Sequence, residues 1–288
     1  MHLFLGTGVA LITPFDAHNQ VDFGALDRIV DHVITGGVNY IVALGTTGET
    51  PTLTHTEKLA VLRAIVRKTD GRVPVVCGAG GNDTAEVLQW IREVENEGVA
   101  GLLSVVPYYN KPSQEGLYRH FSAIAQSTKL PIILYNVPGR TVTNMIPETS
   151  LRLARAFPNI VAIKEASGSL PQCMELVAGA PEHFAVLSGD DDLVLAQIAV
   201  GMQGVISVAA NCYTRDFSDM VRAALTEDFQ KAQKLHYKLL PGIRLLFAEG
   251  NPTGVKAVMH QLGLCENILR LPLVEASGDL YQKLAAQS

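Results

Sequence analysis

Ile132-Ile133-Leu134-Tyr135 and Ile160-Val161-Ala162-Ile163, the second running straight into Lys164-Glu165-Ala166-Ser167-Gly168, decide the fold. Both are short, apolar almost throughout and closed by polar residues, as strands buried on both faces of a parallel sheet should be. Their separation is about 30 residues, the length of one strand-plus-helix unit. Similar runs occur at 9–13, 40–44, 73–77, 102–106, 185–188 and 205–208. Between the runs lie amphipathic stretches. Phe23, Leu26, Ile29, Val30 and Val33 fall on one helical face, as do Leu59, Leu62, Ile65 and Val66, and then Val87, Ile91 and Val94. Thr54 with Glu57, and Asp83 with Glu86, fit helix-starting capping boxes.

Eight strands alternating with helices imply right-handed crossovers and an α/β fold with a parallel sheet. A doubly wound open sheet usually shows a glycine-rich phosphate loop after its first strand. Thr13-Pro14-Phe15 is nothing like one. The expected architecture is a (β/α)8 TIM barrel over 1–226. A C-terminal helical region over 227–288 should follow, with helices near 229–247, 254–264 and 280–286.

The 288 residues are 48% apolar and 18% charged, as in a soluble globular chain. A net charge of -5 with scattered basic residues gives no reason to expect a nucleic-acid or membrane partner. Cys77, Cys173, Cys212 and Cys265 form no Cys-x-x-Cys pair, so buried free thiols in a reducing, cytoplasmic setting are expected. The apolar opening, residues 1–15, lacks a basic start and contains Gly6, Gly8 and Pro14; it reads as a first strand rather than a signal peptide.

Barrel active sites lie at the C-terminal ends of the strands, so the polar residues closing each run are the candidates. Lys164 shares its strand face with Ala162, while Ile163 points the other way. Facing inward, its amine meets apolar neighbours that disfavour the ammonium form, and a neutral amine can condense with a ketone to an imine. Facing outward, it is a solvated lysine, the commoner fate. Tyr135 closes the preceding strand within reach; a phenol both donates and accepts a proton, or it is a core aromatic. Gly45-Thr46-Thr47-Gly48 is either a plain turn or a set of N–H groups able to hold a carboxylate. Arg140, after Pro138-Gly139, suits bidentate grip of a carboxylate or sits on a surface loop.

Other signals point away from metals and cofactors. Asp190, Asp191 and Asp192 stand where a helix is expected to begin, the end of the dipole that acids favour. The eight histidines lack zinc-type spacing. Gly78-Ala79-Gly80-Gly81 falls short of a dinucleotide fingerprint, and Ser167-Gly168 lacks a nucleophile-elbow context.

Together these strand-end motifs, in this order from Gly8 to Val208, resemble the pyruvate-dependent aldolase family that includes dihydrodipicolinate synthase and N-acetylneuraminate lyase. The resemblance implies that Lys164 forms a Schiff base with pyruvate and that Tyr135 shuttles protons. Thr47 would link Tyr135 to Tyr109, which in the family reaches across from a neighbouring subunit. Thr46 and Thr47 would bind the pyruvate carboxylate, with Gly189 and Ile206 lining the pocket. Paired threonines and Arg140 resemble the synthase branch, whose acceptor is aspartate semialdehyde, more than the sugar-acid lyases. A homotetramer or homodimer and no metal or cofactor are implied. Thr50, Pro51, His55, Lys58, Asn82, Glu86 and Tyr108 match the family's lysine feedback site. Lysine-sensitive members commonly carry histidine where Lys58 stands, so feedback is expected to be weak or absent. The segment Asn251-Pro252-Thr253-Gly254-Val255-Lys256 departs from the family's common Asn-Pro-Ile-Pro form and, lying in the tail, is expected to bear on assembly more than on catalysis. A lyase acting on another aldehyde, and a non-catalytic barrel, are the alternatives.

Overall fold

The computed structural model describes residues 4–287, so the first three residues of the expected opening strand lie outside it. Eight parallel strands close into a barrel, β1 (Gly6–Ala10), β2 (Tyr40–Ala43), β3 (Val75–Gly78), β4 (Gly101–Val105), β5 (Ile132–Asn136), β6 (Ile160–Glu165), β7 (Ala185–Ser188) and β8 (Gly204–Ser207), with β8 paired to β1. The crossovers carry α1 (Phe23–Gly36), α2 (His55–Thr69), α3 (Thr84–Val94), α4 (Gln114–Ser127), α5 (Pro138–Thr141), α6 (Pro147–Ala156), α7 (Leu170–Gly179), α8 (Val194–Ala199) and α9 (Thr214–Leu225). Three more helices follow, α10 (Phe229–Leu246), α11 (Thr253–Gln261) and α12 (Gly278–Ala285). The TIM-barrel expectation and the helical tail are both met.

Strand alternation sorts the apolar residues into two layers. Val42, Val76, Leu103, Ile133, Ala162 and Ile206 fill the barrel interior. Ile41, Leu102, Ile132, Ile163 and Val205 face outward and pack beneath the helices. Phe4 and Tyr40 close the bottom of the interior with their rings 5.6 Å apart. Gly8 makes this possible, since a Cβ there would lie 2.3 Å from the Tyr40 ring.

The first strand begins three residues earlier than the apolar run suggested. The ladder needs Gly6–Ala10 opposite β8 and β2. Leu11 and Ile12 remain buried, but Ile12 already donates its N–H to the Asn211 side chain rather than to a strand. Thr54 and Glu57 form the full reciprocal box at the start of α2. Asp83 caps α3 through the Ala85 N–H at 2.8 Å, but Glu86 does not return the bond, so that box is half made.

Candidate active site

Lys164 stands next to last in β6 and faces the barrel interior, 5% exposed. Its ladder partner on β5 is Tyr135. Because paired residues in neighbouring strands point to the same face, both side chains enter the same interior, and the Lys164 Nζ lies 4.2 Å from the Tyr135 ring centroid. The inward reading of the lysine is the observed one. No carboxylate comes within 4 Å of that amine among the described residues. Gly189, just past β7, leaves the amine its room: a Cβ there would meet Lys164 Cε at 3.0 Å and Ala166 Cβ at 2.5 Å. Ile206 is fully buried in the interior layer one strand further on.

The next residue along β6 turns the other way and anchors the strand ends. Glu165 is fully buried and accepts from Asn136 Nδ2 at 3.0 Å, from Gln172 Nε2 at 3.1 Å and from the Ser167 N–H at 2.8 Å. These bonds tie β5, β6 and α7 together directly behind Tyr135 and Lys164. Neither Asn136 nor Glu165 carries any sequence signal beyond its place at a strand end.

A cavity of about 340 Å³ opens beside Tyr135 and is lined also by Thr46, Leu103, Val137, Arg140 and Thr141. Arg140 lies on the short helix α5 and forms no ion pair among the described residues, so its fork is available to an anion. Thr46-Thr47-Gly48 makes a 3-10 turn after β2, and the Thr46 and Thr47 amides stand at its open N-terminal end, where backbone donors have no partner within the turn.

The opposite wall of that turn is where the sequence reading needs correcting. Asn251 Nδ2 donates to Thr47 Oγ1 at 3.0 Å, and both residues are buried. Glu49, at φ 52°, is forced into the left-handed region and pairs its carboxylate with Lys256, neither side chain being exposed at all. Lys256 also donates to the Ile268 carbonyl at 2.8 Å and stacks its charge 4.1 Å from the Phe15 ring centroid. Burial pulls its pKa down while Glu49 opposes the shift. The segment that begins α11 therefore braces the rim of the site rather than serving assembly alone. Thr47 makes no hydrogen bond to Tyr135 or Tyr109 among the described residues; its partner is Asn251.

Tyr109 points outward, 89% exposed, from a backbone at φ 71°. Asp191 corrects another expectation. It does not begin α8, whose first turn has no side-chain cap. Its buried Oδ2 instead accepts from the N–H groups of Val208 at 3.0 Å and Ala209 at 2.7 Å, joining the ends of β7 and β8. Burial pushes its carboxyl up to about 6, and does the same to Asp190. No group of three or more His, Cys, Asp or Glu residues able to hold a metal occurs among the described residues.

Beside the cavity at Tyr135 lies a second of about 320 Å³ that contains Thr50, His55, Lys58, Asn82, Glu86 and Tyr108. Pro51 lines the first cavity instead. His55 is held there by Glu93 at 2.7 Å and edge-on to Trp90.

Known proteins are similar to this chain over nearly its full length. A profile described as the dihydrodipicolinate synthetase family matches residues 3–287. The 4-hydroxy-tetrahydrodipicolinate synthase of Flavobacterium psychrophilum is 50% identical over 284 residues, covering 99% of this chain and 97% of the relative. The crystal structure of dihydrodipicolinate synthase from Aquifex aeolicus superposes with a TM-score of 0.96 at 43% identity, covering 98% and 96% of the two chains. A monomeric dihydrodipicolinate synthase variant superposes at 0.97 with 39% identity, covering 99% and 96%. On this full-length match the chain belongs to the dihydrodipicolinate synthetase family.

Proposed function

We propose that Lys164 forms a Schiff base with the ketone of pyruvate and that the resulting nucleophile adds to L-aspartate 4-semialdehyde. The chain is a lyase of the class I aldolase type, and its activity is that of a 4-hydroxy-tetrahydrodipicolinate synthase, serving lysine and diaminopimelate biosynthesis. The observation that carries the mechanism is the pairing of a buried amine with a phenol on the adjacent strand, 4.2 Å from Nζ to ring centroid.

The amine attacks the ketone carbon and water leaves as the imine forms. A methyl proton is then lost to give the enamine, whose carbon attacks the aldehyde. The amino group of the acceptor finally displaces Lys164 as the ring closes. The imine is itself the electron sink, so this chemistry calls for no metal or organic cofactor. Tyr135 moves protons at the imine, relayed through Thr47 to Tyr109 of a second copy of the chain. The Thr46 and Thr47 amides hold the pyruvate carboxylate, and Arg140 grips the carboxylate of the semialdehyde. Gly189 and Ile206 complete the pocket wall.

An exposed Tyr109 on a left-handed backbone supports self-association as a homotetramer or homodimer, although one relative is monomeric. Residues 1–226 form the catalytic barrel on this reading and 227–288 its helical region. The four buried free cysteines fit a reducing cytoplasm, and among the described residues no helix is long and apolar enough to cross a membrane.

Borohydride reduction in the presence of pyruvate should add the mass of a reduced pyruvyl adduct to the wild type and nothing to Lys164→Ala, which should also be inactive in a coupled assay. An adduct on Lys164→Ala, or faster cleavage of N-acetylneuraminate than turnover of the semialdehyde, would overturn the assignment. The second cavity is the lysine feedback site on this reading. Lys58 inside it repels an ammonium ligand, so submillimolar lysine should leave turnover unchanged, and measured inhibition would reject that part.

A further inference from the structure

We infer that Asn251, brought from the far end of the chain, is a positioning residue that sets the direction in which Thr47 gives up its proton. The inference rests on the relay role proposed above for Thr47 and adds the group that orients it.

A threonine hydroxyl has one proton and two lone pairs, and its rotor follows its neighbours. Asn251 Nδ2 donates to Thr47 Oγ1 at 3.0 Å, and both side chains are buried. With one lone pair engaged by a donor, the Thr47 proton cannot point toward Asn251. It is left for an acceptor on the other side, as a one-way relay requires. Turning the amide over would present Oδ1 and draw that proton away from the site. The same amide's Oδ1 is buried without a hydrogen-bond partner among the described residues, so Thr47 is the side-chain contact through which this amide acts.

The setting makes the contact dependable across the 204 residues that separate the pair. Five residues beyond Asn251, Lys256 is locked to Glu49, two residues beyond Thr47. Glu49 Oε2 also accepts from the Arg270 N–H at 3.0 Å, and the Arg270 guanidinium bonds the Thr52 carbonyl at 3.0 Å. Tail and turn are thus clamped beside the Asn251–Thr47 bond, and the amide is held against a hydroxyl whose backbone cannot drift.

The test uses the full chain and both substrates, with Asn251→Ala, Asn251→Asp, Thr47→Val and the double variant Asn251→Ala/Thr47→Val, each checked for thermal unfolding. Asn251→Ala should lower kcat about tenfold, the size of one hydrogen bond, with KM for pyruvate within about twofold. Asn251→Asp keeps the shape but offers only acceptors, so it should lower kcat further if it folds; Asn251→Ala decides the matter if it does not. In the Thr47→Val background, removing the Asn251 amide should change kcat by less than about twofold, because the hydroxyl it orients is gone. Full multiplication of the two effects, or wild-type kcat in Asn251→Ala beside an impaired Thr47→Val, overturns this inference alone. Wild-type kcat in Thr47→Val overturns the relay and this inference together.

Discussion

The two walls of the pocket are held by opposite means. Lys164 and Tyr135 lie on neighbouring strands, registered by the ladder and fixed from behind by Glu165 and Asn136. The turn bearing Thr46 and Thr47 follows β2 directly, yet its bracing comes from Asn251, Lys256 and Arg270 at the far end of the chain. The first wall takes its register from the barrel ladder itself, with the Glu165 hydrogen bonds securing it. The second is geometry added by a buried ion pair and a handful of polar contacts, and its loss should be separable from loss of the first.

Lys256→Met should have the largest effect. It strands a fully buried Glu49 carboxylate, at a cost of about 3–5 kcal/mol. Adding Glu49→Gln keeps an acceptor for the Arg270 N–H and should restore much of that loss in urea unfolding. If the double variant is as unstable as the single, the pair is not what braces the turn. Asp191 gives the next largest effect. Its carboxyl is lifted to about 6 from 3.8, so between those values the folded chain holds a proton the unfolded chain has released. The resulting stabilisation is full below the unfolded value and is lost as pH rises through 6, about 3 kcal/mol at most. Unfolding of wild type and Asp191→Asn at pH 4, 5 and 6 should show the slope in the first and a flatter line in the second. Smallest is Gly189→Ala, where the new methyl crowds Lys164 Cε and Ala166. Displacing the amine by a fraction of an ångström should cost about tenfold in kcat, short of the roughly 10²-fold of a full 1 Å misplacement, with stability changed little beside Lys256→Met. Undiminished adduct formation in Gly189→Ala would mean that the first wall is softer than its ladder suggests.

The same contrast explains what was legible in the sequence. Strand alternation alone predicts that Lys164 and Ala162 share a face and Ile163 does not, and the interior layer contains Ala162 while the outer layer contains Ile163. The bounds of most strands were legible to within one or two residues, β6 running on through Lys164 and Glu165, and slipped furthest at β1, where the run continued past the last ladder bond as buried non-strand chain. The three aspartates after β7 look alike as letters, and only the tertiary path shows Asp191 turning inward to the β8 end. Asn251 was marked only as the first residue of the tail segment set against the Asn-Pro-Ile-Pro form, with no periodicity or charge pattern to tie it to the site. Its partner is remote in sequence, and a contact made by a single amide leaves no local trace.

That remoteness has a bearing on how the enzyme comes into being. During synthesis the chain emerges from its N-terminus, and strands β2, β5 and β6 are complete long before residue 251 exists. A nascent barrel can thus possess its amine and its phenol while the opposite rim is still unbraced. On the proposed mechanism competence is a late event, set by the docking of the final helices, and any product cut short before α11 would keep the buried Lys164 amine but lose the clasp that finishes the cup.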